Sequence, residues 1–220
     1  MKVCTDACLF GAWVGGKVGG WEMVVDSILD IGTGTGLLSL MLAQKSTAHI
    51  DAIELDEHAA EQAAENFETS EWKQRLQVIT ADTRTVHLGK KYDLIISNPP
   101  FFENDLKSGN TQRNLALHSQ ELSLTELLAV ISKHISDTGK FALLLPYHRK
   151  PEFEKLAADT GFYLEESVSV KQTPNHNFFR LMFLFGRTKV TGMESEMYIR
   201  NEDVYGEEFM DLLRDYYLKL

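Results

Sequence analysis

Short apolar runs alternate along this chain with longer segments whose apolar residues recur at helical spacing. The runs predict strands at 27–31, 49–55, 76–80, 92–97, 140–145, 162–170 and 178–185. The segments between them predict helices at 37–44, 56–67, 124–135 and 151–160. Such alternation is typical of an α/β fold, in which helices cover both faces of a mostly parallel sheet. The last two strands are joined by too few residues for a crossover helix, so we expect them to pair antiparallel.

The composition is that of a globular protein, with 44% hydrophobic and 25% charged residues among 220. It excludes a disordered or fibrous chain, and the absence of repeats and low-complexity linkers predicts a single domain over residues 1–220. No apolar stretch reaches the roughly 18 residues that span a bilayer, and no export signal is evident, which predicts a cytoplasmic protein. Cys4 and Cys8 lack further ligands at metal-binding spacing, so we expect no metal site.

A glycine-rich turn directly follows the first predicted strand, with Gly32, Gly34 and Gly36 at every second position. Glycine allows a sharp backbone turn and a close approach of main-chain atoms to a ligand. A dinucleotide fingerprint would require glycine where Leu37 stands, and a phosphate-binding P-loop would require Gly-Lys-Ser/Thr; both are absent. We therefore expect these glycines and Thr33 to contact a different ligand, although a plain structural turn also accounts for the pattern.

Carboxylates stand at the ends of three successive predicted strands. Asp30 precedes the glycine turn, Glu54 ends the second strand, and Asp82 follows the third. Glu54 is placed to accept both hydroxyls of a ribose, Asp82 to accept from an exocyclic amine, and Asp30 to meet an ammonium group. A nucleoside that carries an amino acid and no phosphate fits this set, and S-adenosylmethionine has that form. Taken singly, each acid is better explained as a solvated surface group, but three at successive strand ends favour a binding site.

The fourth predicted strand stops at Asn98-Pro99-Pro100-Phe101. Two prolines fix the backbone and remove two N–H donors, which leaves carbonyl oxygens free to face a substrate. The Asn98 side chain and the Pro99 carbonyl could accept both hydrogens of a planar NH₂ group and turn its lone pair toward a methyl donor. Phe101 offers a surface on which a flipped base could stack. The alternative is a turn that caps the strand with core phenylalanines.

The glycine turn followed by Asn-Pro-Pro-Phe resembles the class I S-adenosylmethionine-dependent amino methyltransferases. The segment KVCTDACLFGAW at 2–13 and the acidic-aromatic ending at 205–220 are similar to the bacterial tRNA1(Val) (adenine-37-N6)-methyltransferase family, whose opening reads MKVGTDGVLLGAW. Cys4 and Cys8 depart from that opening. The resemblance implies N6-methylation of an adenosine in tRNA, at nucleotide 37 of a valine tRNA.

For the fold, the resemblance implies a Rossmann-like, seven-stranded, mostly parallel sheet with an antiparallel last strand. It also implies that residues 1–26 cover the cofactor site and 27–220 form the core, with Lys2, Thr5 and Asp6 as contacts. The catalytic set would be Asn98, Pro99, Pro100 and Phe101. The set that binds S-adenosylmethionine would be Asp30, Gly32, Thr33, Gly34, Gly36, Glu54, Asp82 and Asn98.

A net charge of −10 argues against binding nucleic acid through overall charge, but it leaves room for a local basic rim. Several residues fall in loops on the expected substrate side of the sheet. We expect RNA contacts from Phe102, Lys107, Arg113, Lys171 and Arg180. Ordinary solvated charges would explain the cations equally well. We expect the protein to act as a monomer.

Two other functions fit part of the pattern. Protein glutamine N5-methyltransferases could hold an amide NH₂ with the same Asn-Pro-Pro turn, but that family favours tyrosine at position 101 and a separate N-terminal helical domain. A non-catalytic RNA chaperone that binds the cofactor would have little reason to keep Asn98 and an unbroken glycine turn. Measurement of turnover distinguishes these functions.

Overall fold

The computed structural model describes residues 4–18, 25–100 and 122–218. The helices are α1 Thr5–Val18, α2 Leu37–Lys45, α3 Glu57–Glu68, α4 Leu124–His134, α5 Lys150–Asp159 and α6 Glu207–Leu213. The strands are β1 Ser27–Ile31, β2 His49–Glu54, β3 Leu76–Thr80, β4 Tyr92–Ser97, β5 Ile135–Pro146, β6 Tyr163–Lys171, β7 Phe178–Gly186, β8 Met193–Tyr198, β9 Arg200–Asn201 and β10 Val204–Tyr205. Short 3₁₀ turns lie at Lys73–Arg75 and Tyr147–Arg149.

The central sheet has the order β3-β2-β1-β4-β5-β7-β6-β8 among the described residues. β7 runs antiparallel to both β5 and β6, and the other neighbouring pairs are parallel, which confirms the predicted α/β sheet and its antiparallel hairpin. The chain leaves β1 toward β2 and β3, and then returns to β4 on the other side of β1. Such a reversal opens a crevice at the carboxyl ends of the strands, where open α/β sheets bind their ligands.

Within the described ranges the sheet has eight strands, whereas the sequence predicts seven. The additional strand is β8, which pairs parallel to β6 at the edge of the sheet. Its sequence, MESEMY, is exposed at all but one position, Met197. An edge strand with so little buried surface carries no apolar run, so hydrophobic patterning does not reveal it.

The fifth strand begins earlier than predicted. Helix α4 has the capping box that the sequence indicates, in which Ser123 and Glu126 bond each other's backbone, and it ends at His134. β5 follows at once from Ile135, with a shift of register opposite Tyr92. Gly139 lies within this irregular strand rather than at a turn, and a Cβ there would stand 2.8 Å from the Tyr92 carbonyl oxygen.

Two apolar layers enclose the sheet. On one face α1, α2 and α6 pack over a core that includes Phe10, Leu42 and Phe209. On the other face α4 and α5 cover a core that includes Leu128 and Phe153. α1 and α2 approach closely, because a Cβ on Gly11 of α1 would lie 2.6 Å from the Met41 sulfur. The N-terminal helix is thus part of the core layer, and its first residues lie beside the start of α2.

Candidate active site

The glycine-rich turn lies at the carboxyl end of β1. Gly32, Gly34 and Gly36 have φ of 71°, 59° and 86°, a region that disfavours side chains. A Cβ on Gly36 would in addition stand 2.5 Å from the Phe67 ring. The turn is tied to β2, since the amides of Gly32 and Thr33 both donate to the Ile53 carbonyl at 2.9 and 3.0 Å. The backbone is therefore fixed before any ligand arrives.

Glu54 fastens the same turn through its side chain. Its Oε2 accepts from the Gly34 amide at 2.8 Å, and its Oε1 accepts from the Leu55 and Asp56 amides, both at 2.9 Å. A carboxylate has about four acceptor positions, so one position stays available for a ligand hydroxyl. Glu54 thus links β1 to β2 as well as standing where the sequence predicts a ribose contact.

Asp30 lies beneath the turn and is fully buried. Its Oδ2 accepts from the hydroxyls of Thr33 and Ser39 at 2.6 and 2.7 Å, whereas its buried Oδ1 has no hydrogen-bond partner within the described part of the chain. Burial raises the pKa of the Asp30 carboxyl to about 6, because too few donors compensate the ionised form. A positive charge placed above the turn would stabilise that form.

Asp82 lies after β3 and is held by a residue that the sequence analysis missed. The Arg84 guanidinium straddles the carboxylate, with Nε 3.0 Å from both oxygens and Nη2 2.7 Å from Oδ2. This pairing lowers the pKa of Asp82, so the group is an ionised acceptor. Arg84 also stands 3.8 Å from Glu126 of the α4 capping box. An acid and an arginine two residues apart after a strand is a signal that could have indicated the pair.

The Asn-Pro-Pro turn begins beside the glycine turn. Ser97 at the end of β4 is the register partner of Ile31 at the end of β1, and its hydroxyl donates to the Ile31 carbonyl at 2.7 Å. Asn98 and Gly32 therefore leave adjacent strands at the same level, about 5 Å apart in strand spacing. Asn98 is half-buried, Pro99 is buried and Pro100 is exposed. The two motifs, far apart in sequence, meet at one edge of the crevice.

The predicted RNA contacts divide into two groups. Arg180 of β7 donates to Asp6 of α1 at 2.8 Å, and Lys171 of β6 stands 3.4 Å from the Glu196 carboxylate. Both cations lie at the end of the sheet where the two turns lie, the carboxyl ends of the parallel strands. Arg180 pairs with Pro146, the last residue of β5. The other predicted RNA contacts, Phe102, Lys107 and Arg113, lie outside the described part of the chain. The predicted cofactor contact Lys2 and the predicted catalytic residue Phe101 lie outside it as well.

Within residues 4–18, 25–100 and 122–218, no group of three or more His, Cys, Asp or Glu side chains is arranged to hold a metal ion. In the same ranges, no helix has both the length and the apolar character needed to span a bilayer.

Known proteins that are similar to this chain in sequence or in fold are methyltransferases. Residues 22–154 match the family model of the methyltransferase small domain. The whole chain is 39% identical to a tRNA1(Val) (adenine(37)-N6)-methyltransferase of Dyadobacter fermentans, of which the match covers 91%. It is 40% identical to one of Trichodesmium erythraeum, with 92% covered. A solved "predicted O-methyltransferase" from Agrobacterium tumefaciens superposes over 95% of both chains with a TM-score of 0.71 at 14% identity, which shows the fold alone.

Proposed function

The chain belongs to the tRNA1(Val) (adenine(37)-N6)-methyltransferase family, and we propose that it transfers a methyl group from S-adenosylmethionine to N6 of an adenosine in tRNA, at position 37 of a valine tRNA. One observation supports the assignment of this activity to the two turns. The Ile31–Ser97 register brings the glycine turn and the Asn-Pro-Pro turn to neighbouring points of the crevice, so that a donor held by the first would face an amine held by the second.

The residues of the glycine turn fit S-adenosylmethionine. The buried Asp30 Oδ1, which has no hydrogen-bond partner among the described residues, leaves a negative charge that suits a ligand with an ammonium and a sulfonium. An added Cβ on Gly32 would meet no atom of the described residues within 4 Å, which leaves room there for a ligand against the backbone. We propose that Gly32, Thr33, Gly34 and Gly36 hold the methionine part. Glu54 would accept one ribose hydroxyl at its remaining acceptor position, and Asp82 would accept a hydrogen of the adenine amine.

The proposed catalytic role of the chain's residues is to position the amine of the substrate against the methyl donor. S-adenosylmethionine, when bound, supplies an electrophilic methyl group. The lone pair on an adenine N6 is conjugated with the ring, so the amine is a poor nucleophile until its hydrogens are held out of plane. The Asn98 side-chain oxygen and the Pro99 carbonyl would accept those two hydrogens and stabilise the positive charge that develops on nitrogen. Pro99 and Pro100 keep the turn rigid, and Phe101 would stack on the base.

The N-terminal segment completes the proposed site. We propose that residues 1–26 and 27–220 form one domain, with Thr5 and Asp6 beside the cofactor. The ion pair of Asp6 with Arg180 supports this, because it joins the start of α1 to the carboxyl end of the sheet. Lys2 would extend the same contact. We further propose a cytoplasmic monomer that needs no metal. Light scattering and retention of activity in a chelator test the last two points.

RNA would approach the same edge of the sheet. We propose contacts from the two cations located above and from four residues that follow Asn-Pro-Pro in the sequence, which are Phe101, Phe102, Lys107 and Arg113. A duplex hides adenine N6, so the target adenosine has to lie in a loop or to flip out.

The decisive experiment uses methyl-labelled cofactor with separate pools of total tRNA, ribosomal RNA and protein. We expect label in tRNA alone, recovered as N6-methyladenosine after nucleoside digestion. Label on glutamine would establish the protein methyltransferase instead. Cofactor and tRNA binding without any label transfer would indicate the non-catalytic chaperone.

A further inference from the structure

Two aromatic rings and a lysine meet at the carboxyl edge of the sheet, where β5 ends and β7 begins. Tyr147 directly follows Pro146 of β5, and Phe178 opens β7. Their ring centroids lie 4.7 Å apart with the planes tilted by 35°. The Lys171 ammonium stands 4.3 Å from the Phe178 centroid. Since Tyr147, Phe178 and Lys171 are each only half-buried, this cluster, called here the hairpin platform, is partly exposed to solvent.

A β-bulge creates the platform. Val170 pairs with Arg180, but the next residue of β6, Lys171, pairs with Phe178, so Phe179 has no residue opposite. An extra residue reverses the alternation of side chains, and bulges of this kind redirect side chains next to active sites. Phe179 accordingly packs toward the core layer of α1 and α2. Phe178 is directed to the opposite face, where it meets Tyr147.

The platform lies close to the proposed catalytic turn. Ser97, which precedes Asn98, pairs with Leu143 of β5, and β5 continues three residues farther to Pro146. At about 3.3 Å per residue this places Tyr147 roughly 10 Å beyond the level of Asn98, one strand over. The distance suits a neighbouring nucleotide of the same RNA strand.

The Lys171 ammonium of the platform can exchange its carboxylate partner for another anion at low cost. Lys171 is paired with Glu196 at 3.4 Å, and the Glu196 side chain is 64% exposed. Exposed pairs of this kind contribute about 0–1 kcal/mol, so an RNA phosphate can take the place of Glu196 at little cost. The chain has a net charge of −10, so binding of a polyanion requires local sites such as Lys171, where a phosphate can replace a carboxylate.

We propose that the hairpin platform stacks an unpaired nucleobase next to the target adenosine, with Lys171 on the adjoining phosphate. This inference rests on the proposed function and extends it to the flanking nucleotide. Exposed aromatic rings are the usual means of holding unpaired bases, since every base has a π-face, and a nearby cation adds contact with the backbone. If the ring pair served only to cover the core, any apolar side chain of similar size would replace it.

The test separates these two roles at position 178. Phe178→Leu keeps the apolar volume and removes the ring, whereas Phe178→Tyr keeps the ring. We expect Phe178→Leu to weaken binding of a fluorescent RNA hairpin with an adenine-containing loop by about fivefold or more, the scale of one lost base stack. Phe178→Tyr should stay within about twofold of the wild type. Cofactor affinity by calorimetry should be unchanged in both.

The controls show whether the loss of affinity is specific to the hairpin platform and to an unpaired base. Tyr163→Leu alters a half-buried tyrosine at the opposite end of the same hairpin and should leave RNA binding unchanged. Binding to a fully paired duplex should not respond to Phe178→Leu. Tyr147→Leu repeats the test should Phe178→Leu melt at a much lower temperature. Lys171→Gln should reduce the steepness of log affinity against log salt by about one, as expected for the loss of one phosphate contact.

The result that overturns the platform is a Phe178→Leu hairpin affinity equal to that of the wild type, or an equal loss in Phe178→Leu and Phe178→Tyr. Because binding is read without turnover, this result is distinct from failure of the proposed function, which would be a wild-type protein that binds the hairpin but methylates no tRNA.

Discussion

The two ends of the crevice hold their functional side chains in different ways. At the cofactor edge, formed by the carboxyl ends of β1, β2 and β3, Glu54 binds three backbone amides and Asp30 binds two buried hydroxyls. At the hairpin edge, formed by the carboxyl ends of β5 and β6 with the start of β7, the contacts join partly exposed side chains to one another. Lys171 with Glu196, and Tyr147 with Phe178, are examples.

The difference agrees with the ligand proposed for each edge. Backbone amides cannot move without unfolding a strand end, so the cofactor edge is fixed in advance for one small ligand. Side chains on a half-exposed edge exchange partners at a cost of about 1 kcal/mol, which suits a large, charged RNA. Asn98 lies between the two edges. Four substitutions test this contrast, from the largest expected effect to the smallest.

Asn98→Ala should affect chemistry while leaving both edges intact. We expect methyl transfer to fall by at least roughly tenfold, because one contact that stabilises the developing charge is lost. Cofactor binding by calorimetry and hairpin binding by fluorescence should be retained. Asn201→Ala, on the exposed strand β9, is the matched control. Full activity of Asn98→Ala would remove this side chain from the mechanism.

Asp30→Asn should make the cofactor-free protein more stable and bind the cofactor more weakly. The folded pKa of about 6 lies above the ordinary carboxyl value, so the folded state holds the proton more tightly than the unfolded state. The free energy of unfolding therefore falls as pH rises from the ordinary carboxyl range through about 6. Above that range we expect the variant to be about 2 kcal/mol more stable in urea denaturation. A wild-type stability that rises over the same pH window would contradict this.

The cofactor titration of the same variant supplies a second measurement. In the wild type, affinity for S-adenosylmethionine should increase as pH rises through about 6, because the ionised Asp30 attracts a cationic ligand. The variant should bind more weakly and lack this increase. An unchanged pH profile would show that the charge at position 30 does not act on the ligand.

Glu54→Gln should damage only the cofactor edge. An amide NH₂ cannot accept, so at least one of the three backbone amides that Glu54 now binds would lose its partner. We expect cofactor affinity to fall roughly tenfold, the scale of one such hydrogen bond, with hairpin affinity unchanged. Glu65→Gln on the exposed side of α3 should have neither effect. Equal losses for cofactor and RNA would deny that the two edges are independent.

Glu196→Gln should act only at the hairpin edge, and weakly. Removing the competing carboxylate frees Lys171 for phosphate, so hairpin affinity should rise by about twofold to fivefold at low salt and by less at high salt. Glu61→Gln, which also removes an exposed charge, should change affinity less. A weaker binding in Glu196→Gln would mean that Glu196 holds Lys171 in its binding position.

Much of the fold follows from local pattern. The apolar runs predict β1 to β4 to within a residue, since each is a short buried strand with a clear end, and the Ser123 capping box fixes the start of α4. The pattern fails at β8, where only Met197 is buried, and at the start of β5, where an irregular strand begins directly after a helix. In both places the strand depends on its neighbours for pairing and not on its own apolar residues.

The site divides in the same way. The glycines after β1 and the prolines after β4 are visible in sequence, because their function depends on backbone dihedrals that only those residues favour or impose. The pairing of Asp82 with Arg84 is also local. The bulge that exposes Phe178 has no local signal, since it arises from the register between two strands.

The sequence by itself determined an α/β sheet, the two turns that meet at its crevice and the residue types suited to a methyl donor and an amine. The tertiary structure decided which partners those residues have. It placed Glu54 on the Gly34 amide and joined Asp6 to Arg180 across 174 positions. Among the described residues, it left one oxygen of Asp30 without a partner. Local propensities act over a few residues, whereas such contacts are set by how strands and helices pack in space.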